Sequence, residues 1–191
     1  MKKTKKKRRP MRKGGGAAKG GAFERKIARS LSTWWYGEEG YLWRRPGSGF
    51  RARQPMRHTG DIVPVADVPL PDPWPFHIEA KCWAKKRLKL DMLLWPTKNP
   101  IRRIWVKAVN ERRKDLVPML ILKANLVDPV AVMRETDADR LVNCLMQRLI
   151  ADASTPYLDS YVRVNYKMKQ PIIMFSLKFL QDLPRPKGAK L

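Results

Sequence analysis

The sequence predicts an α/β domain built around one mixed β-sheet. Three observations predict it. Helical periodicity over residues 22–36 is followed by short β-prone runs, a second helix and further strands, so the two element types are interspersed. The run FHIEAKCW at 76–83 sets Phe, Ile, Ala and Cys against His, Glu, Lys and Trp in strict alternation, the pattern of a strand with two unlike faces. Apolar residues make up 43% of the 191, enough for one domain of this length to bury a core.

Residues 1–21, MKKTKKKRRPMRKGGGAAKGG, are basic and then glycine-rich, and a disordered arm is expected there. The folded domain is expected over 22–183, with a short tail over 184–191. In AFERKIARSLSTWWY (22–36), Phe23, Ile27, Leu31 and Trp34 or Trp35 recur at helical spacing and make a core stripe. Gly37 and Gly40 end that helix. YLWRR (41–45) reads as a short strand, and RPGSGFRARQPMRHTG (45–60) as a long basic loop. DIVPV (61–65) is a strand. DVPLPDPWP (67–75) carries four prolines and is excluded as a central strand. After the strand at 76–83, a basic helix is expected around 100–114, then strands at 117–124 and 129–135. Thr136 with Asp139 gives a capping-box-like start to a helix through about residue 151. Its Leu141, Leu145 and Leu149 make either a core stripe or a dimer face. Tyr161–Lys167 and Ile172–Leu177 read as a late hairpin.

Charge narrows the partner. The chain has 41 Lys and Arg against 17 Asp and Glu, a formal +24. Residues 1–60 hold 18 of those cations against only Glu24, Glu38 and Glu39. Such a charge opposes compaction and calls for a polyanion. No apolar run of spanning length occurs, and no apolar segment follows the basic start, which argues against a membrane span and a secretory signal. Nucleic acid is therefore the expected partner, no membrane is, and the expected location is cytoplasmic. Cys82 and Cys144 lack metal-ligand spacing, which argues against zinc and for a reducing compartment. No small-molecule cofactor is expected.

Glu79 and Lys81 stand two apart on a strand, so both side chains leave the same face. A surface ion pair looks the same, so the pair alone is a weak signal. It gains weight because the other face of that strand is apolar and because DIVPV opens with Asp61. In a hairpin, the first residue of one strand can lie beside the middle of the next. Two carboxylates brought together repel, and a divalent cation relieves the repulsion. Mg²⁺ prefers hard oxygen ligands, with Mn²⁺ expected to substitute, and a neighbouring lysine can orient water or offset charge on a phosphate. Asp61, Glu79 and Lys81 thus read as a phosphodiester-hydrolysis site. Asp72 lies in a literal Pro-Asp string, but Pro71, Pro73 and Pro75 favour a turn or extended path. That path keeps Asp72 from a paired strand that meets Glu79, so Asp61 is the expected second carboxylate. Asp67, at the far end of the same strand, is less suited. His77 shares the Glu79 face, where it is either a substrate contact or, the preferred reading, a partly exposed strand histidine with no catalytic role. Arg51, Arg53 and Arg57 are expected backbone-phosphate contacts, with Arg44, Arg45 and Lys19 as further DNA-binding candidates.

Four runs in order, KGGAFERKIARSL (19–31), RRPGSG (44–49), GDIV (60–63) and FHIEAK (76–81), resemble the archaeal-type Holliday junction resolvases of the PD-(D/E)XK nuclease superfamily. The likeness covers about residues 19–83, with weaker agreement through about 135. It implies a restriction-endonuclease-like fold, with a mixed central sheet flanked by helices, working as a homodimer that cuts four-way DNA junctions. It implies that Glu24 joins the acidic site, and that Asp61 and Glu79 bind the divalent metal with the Ala80 carbonyl as a further ligand. Lys81 would be the catalytic lysine, and Ser48 would lie near the scissile phosphate. The long Arg-rich loop, the proline-rich 67–75, the basic arm and the late hairpin depart from the family pattern and bear on substrate choice. Two rival readings stay open. One is another nuclease of the superfamily, acting on flaps or forks or nicking without junction preference. The other is a non-catalytic basic nucleic-acid-binding protein.

Overall fold

Phe23, Ile27, Leu31, Trp34 and Trp35 are all buried along one side of the first helix, as their spacing predicts. In the computed structural model, which describes residues 15–45, 60–83, 100–124, 128–146, 161–164 and 171–183, this helix, α1, spans Gly15–Tyr36. It starts earlier than residue 22, so residues 15–21 of the expected arm are helical; residues 1–14 lie outside the described part. Glycines make poor helix, but Gly21 has a packing reason to be there. A Cβ on Gly21 would stand 3.0 Å from Arg44 Nη1, so a side chain there would have to push that guanidinium aside. The helix stops at Gly37, which takes φ 89° and donates its N–H back to the Thr33 carbonyl at 2.8 Å.

The following elements are β1 (Leu42–Arg44), β2 (Ile62–Pro64), β3 (Phe76–Trp83), α2 (Pro100–Glu111), β4 (Val117–Ala124), β5 (Val130–Arg134), α3 (Glu135–Met146), β6 (Tyr161–Val164), β7 (Ile172–Ser176) and α4 (Leu177–Asp182). The described strands form one seven-stranded sheet in the order β1-β2-β3-β4-β5-β7-β6. Only β3 and β4 run parallel; every other pair is antiparallel. The sheet is mixed and flanked by helices, as the sequence predicts.

Alternation sends the strand side chains into two cores. Ile62, Ile78, Ala80, Met119, Ile121, Met133 and Phe175 pack with α1, α3 and α4. Leu120, Leu122, Val132, Ile172 and Met174 pack with Ile101 and Trp105 of α2 on the opposite face. Strand β4, buried on both faces, accordingly reads as a continuous apolar run.

Three local outcomes differ from expectation. The proline-rich stretch 67–75 is more than a stiff turn, because Trp74 is 2% exposed and packs edge-to-face on Trp35 and Phe76 at centroid distances of 5.8 Å and 5.1 Å. Thr136 falls inside α3, not at its cap, and Leu141 is a core residue; the side chain of Leu145 and residues 147–151 lie outside the described part. The late hairpin forms as expected, β6 pairing antiparallel with β7. Its β7 pairs with β5 as well as β6, so both strands extend the central sheet. The strand expected to run to Leu177 stops at Ser176, whose Oγ accepts the Lys178 N–H at 3.2 Å and starts α4. Leu177, Leu180 and Leu183 then turn inward at helical spacing. No helix among the described residues is long and apolar enough to cross a membrane.

Candidate active site

The site begins with a glycine. Gly60 takes φ 109°, and a Cβ on it would stand 2.6 Å from the Ile78 carbonyl oxygen. Both facts demand glycine, and together they bring the start of β2 hard against the middle of β3. Asp61 then donates its N–H to that same Ile78 carbonyl at 2.6 Å. Its carboxylate Oδ2 accepts the Ala80 N–H at 3.0 Å, where a regular ladder would offer a backbone carbonyl. The Arg45 N–H donates to the Asp61 carbonyl at 2.9 Å from the other side. Asp61 is therefore pinned by β1, by β3 and by its own side chain.

Lys81 reaches over from β3. Its Nζ lies 2.6 Å from Asp61 Oδ2 and 2.9 Å from Glu79 Oε2. Asp61 and Glu79 are buried, whereas the Lys81 side chain keeps 30% of its surface. Two carboxylates thus sit under one partly exposed ammonium. Burial above all, and then the charge of Asp61, pushes the Glu79 carboxyl above the ordinary glutamate range despite the pull of Lys81 and Lys107. Burial alone would lower Lys81; the two carboxylates outweigh it and hold the ammonium above the ordinary lysine range. With all three groups ionised, the cluster carries one net negative charge.

That donor set fits a hard divalent cation. Asp61 and Glu79 offer carboxylate oxygens, and the Ala80 carbonyl leaves β3 on the same side as its N–H, toward Asp61. Mg²⁺ and Mn²⁺ are content with one or two carboxylates, completed by water and substrate oxygens. No group of three or more His, Cys, Asp or Glu that could hold a metal occurs among the described residues, so an all-protein cage of the Ca²⁺ type is not built there. An incoming cation would compete with Lys81 for the two carboxylates.

The other expected residues fall as follows. Glu24 is ion-paired with the guanidinium of Arg44. Arg44 is the register partner of Ile62, so it sits on the α1 side of the sheet, and among the described residues Glu24, Asp61 and Glu79 do not gather into one metal-holding group. Arg44, expected on DNA, has Glu24 as its partner. Arg45 adjoins the site, and its Nε is buried with no hydrogen-bond partner. Lys19 is exposed on α1. Ser48, Arg51, Arg53 and Arg57 lie outside the described residues. Asp72 is elsewhere: its charge helps burial raise the Tyr36 hydroxyl at the end of α1. Asp67 is exposed. His77 is fully buried, not partly exposed, because α2 covers the sheet face that alternation alone makes look open. Lys107, on α2, is the residue that sequence reasoning missed. Its ammonium lowers the Glu79 carboxyl, and it also pairs with Glu111 at 3.5 Å. The stripe of Ile101, Ile104, Trp105 and Ala108 leaves Lys107 on a helix flank, but which flank meets β3 is not written in that stripe.

A mixed sheet flanked by helices, with an acid from one strand and a Glu-x-Lys from the next, defines a restriction-endonuclease-like α/β protein. The family model described as "Phage putative PDDEXK endonuclease" matches residues 16–183. The chain belongs to that family, and through it to the PD-(D/E)XK nuclease superfamily. Nucleases of this superfamily usually use divalent ions such as Mg²⁺. The match reaches the superfamily and the phage family; it does not extend to the archaeal-type resolvases. No curated protein and no solved structure matches the chain.

Proposed function

We propose that this protein is a Mg²⁺-dependent endodeoxyribonuclease that cuts branched DNA, with the four-way junction as substrate and a homodimer as the working form. The convergence of Asp61, Glu79 and Lys81 carries the nuclease part of this reading. The junction part is supported by the four ordered runs between residues 19 and 81 and by the +24 charge. The same reading places the protein with its DNA in a reducing cytoplasm.

Asp61, Glu79 and the Ala80 carbonyl would hold the cation. A divalent ion bound there supplies Lewis acidity toward water and the phosphate oxygens. Lys81, released from one carboxylate, directs its ammonium at the attacked phosphate or at the attacking water. Burial of both carboxylates keeps competing water from their oxygens. Arg45 and Lys107 flank the centre and offset the charge of the bound strand. Glu24 acts at one remove, by fixing the Arg44 guanidinium. Ser48 and the arginines at 51, 53 and 57 would approach the same backbone.

The test is cleavage of a synthetic four-way junction beside linear duplex of the same sequence, in Mg²⁺. Paired cuts confined to the junction are expected, with Asp61→Asn and Glu79→Gln inactive but still bound. Asp72→Asn should cut as the wild type does. Equal cutting of junction and duplex would leave a nuclease without junction preference. No cutting at any protein concentration, in Mg²⁺ or Mn²⁺, would leave a non-catalytic binder.

A further inference from the structure

Trp43 is 49% exposed, and it shares that standing among the described large apolar residues only with Val106. Its position gives the exposure a meaning. It lies on β1, the outermost strand on the side of the sheet nearest the candidate active site. Its neighbours Leu42 and Arg44 turn toward α1, as the burial of Leu42 in the α1 core and the Arg44–Glu24 pair show. Alternation therefore turns Trp43 to the opposite face, the one that carries Glu79 and Lys81. Its register partner is Val63, two residues beyond Asp61 on β2. Strand spacing and rise put the Trp43 backbone on the order of 8 Å from that of Asp61.

Arg45 supplies a second, independent observation. It stands two residues from Trp43 and so leaves the same face. Its N–H bonds to the Asp61 carbonyl at 2.9 Å, which fixes it beside the centre, and its side chain is half-buried, so the guanidinium is held at the edge of the site. An aromatic plane and a guanidinium thus lie side by side, one strand away from Asp61. Nucleic acid needs both: a π-face for a base and a cation for the phosphate next to it. A fully paired duplex keeps its base faces stacked inside and offers nothing to Trp43. An unpaired base, or one whose face is open at a branch point, does.

We propose that Trp43 and Arg45 form a binding site for a single unstacked nucleotide next to the cut phosphate, with Trp43 stacking on its base and Arg45 holding its phosphate. This rests on the nuclease reading above and adds to it the feature that distinguishes branched from linear DNA. Trp43 is a specificity residue: it touches substrate but none of the reacting atoms.

The test is binding by full-length protein in EDTA, followed by fluorescence anisotropy. The probes are labelled oligonucleotides: a linear duplex, the same duplex with a short single-stranded flap, and that flap with abasic residues in place of its bases. Trp43→Ala should weaken binding to the flap by on the order of tenfold. Linear duplex binding should stay within about twofold, since phosphate contacts dominate there. Trp43→Phe should restore flap binding. The abasic flap should bind the wild type as weakly as the intact flap binds Trp43→Ala, and should bind Trp43→Ala no more weakly still. Equal losses on flap and duplex, or an abasic flap bound as tightly as the intact one, would overturn the proposal. Because no cut is needed, these results are independent of whether the Asp61–Glu79 centre is catalytic.

Discussion

Replacing Lys81 with Met removes the ammonium while keeping an unbranched apolar stem, and it leaves Asp61 and Glu79 facing each other. The contacts of 2.6 Å and 2.9 Å to a shared Nζ bound the separation of the two carboxylate oxygens at about 5.5 Å. At an effective dielectric of about 20, two unit charges at that distance repel by about 3 kcal/mol. In the wild type the Lys81 ammonium offsets that repulsion; without it the protein must accept the cost or keep Glu79 protonated, which raises that carboxyl further. A group whose pKa is raised by folding favours the fold below its unfolded pKa and loses that contribution as pH rises through the folded pKa. The deficit of Lys81→Met, the loss of that compensation, should therefore be at least about 3 kcal/mol at neutral pH and above, and should fade as pH falls through the raised Glu79 pKa. In a chain of this length it corresponds to a melting point lower by roughly 6–12 °C. Urea unfolding followed by circular dichroism at several pH values measures it. The Glu79→Gln, Lys81→Met double variant should recover part of the loss, because the repulsion is gone while buried Asp61 still lacks its ammonium. A deficit unchanged between pH 7 and pH 5, or a double variant as unstable as Lys81→Met alone, would refute the electrostatic account.

Gly60→Ala should stop DNA cutting in a folded protein, since a Cβ at 2.6 Å from the Ile78 oxygen forces Asp61 off its anchors; a cleavage assay with a thermal melt separates this from global unfolding. Lys107→Ala should slow cutting by a factor of a few while DNA binding in EDTA changes less, as cleavage rates set beside anisotropy titrations would show. Trp74→Ala should cost about 3–5 kcal/mol in urea unfolding, because it empties the space between Trp35 and Phe76.

Much of the fold was legible because its elements carry period and punctuation. FHIEAKCW is strand β3 over its whole length, and VPMLILKA is β4. Asp61 was legible as the partner of Glu79 because a glycine precedes it and a β-prone run follows. Three things were not. The glycine-rich start of α1 looks unfit for a helix, and it is the approach of the Arg44 side chain, distant in sequence, that gives Gly21 a use there. His77 reads as exposed on a strand that alternates, yet α2 closes over it, and a strand's own pattern does not say what covers its polar face. Glu24 and Lys107 both lie on helices, and their proximity to the site depends on which side of the sheet each helix packs. That choice put Glu24 with Arg44 on one face and Lys107 near Glu79 on the other.

Glu79 is pulled in opposite directions by stability and by the proposed chemistry. Its carboxyl is raised first by burial and then by Asp61, so the protonated form is the one the fold favours, and ionisation at neutral pH costs stability. Metal ligation needs the ionised form. Cleavage should therefore fall on the acid side at a pH above the ordinary glutamate value of about 4.3, and a higher Mg²⁺ concentration should move that acid limb downward, because the cation competes with the proton. Glu79→Gln should show the converse: no cleavage, together with unchanged or higher stability at pH 7, since Lys81 keeps Asp61 as its partner. Pairing the pH profile of cleavage at two Mg²⁺ concentrations with the unfolding curve of Glu79→Gln tests both halves. An acid limb that ignores Mg²⁺, or a Glu79→Gln protein markedly less stable than wild type at neutral pH, would mean that Glu79 holds the sheet together and does not hold a metal.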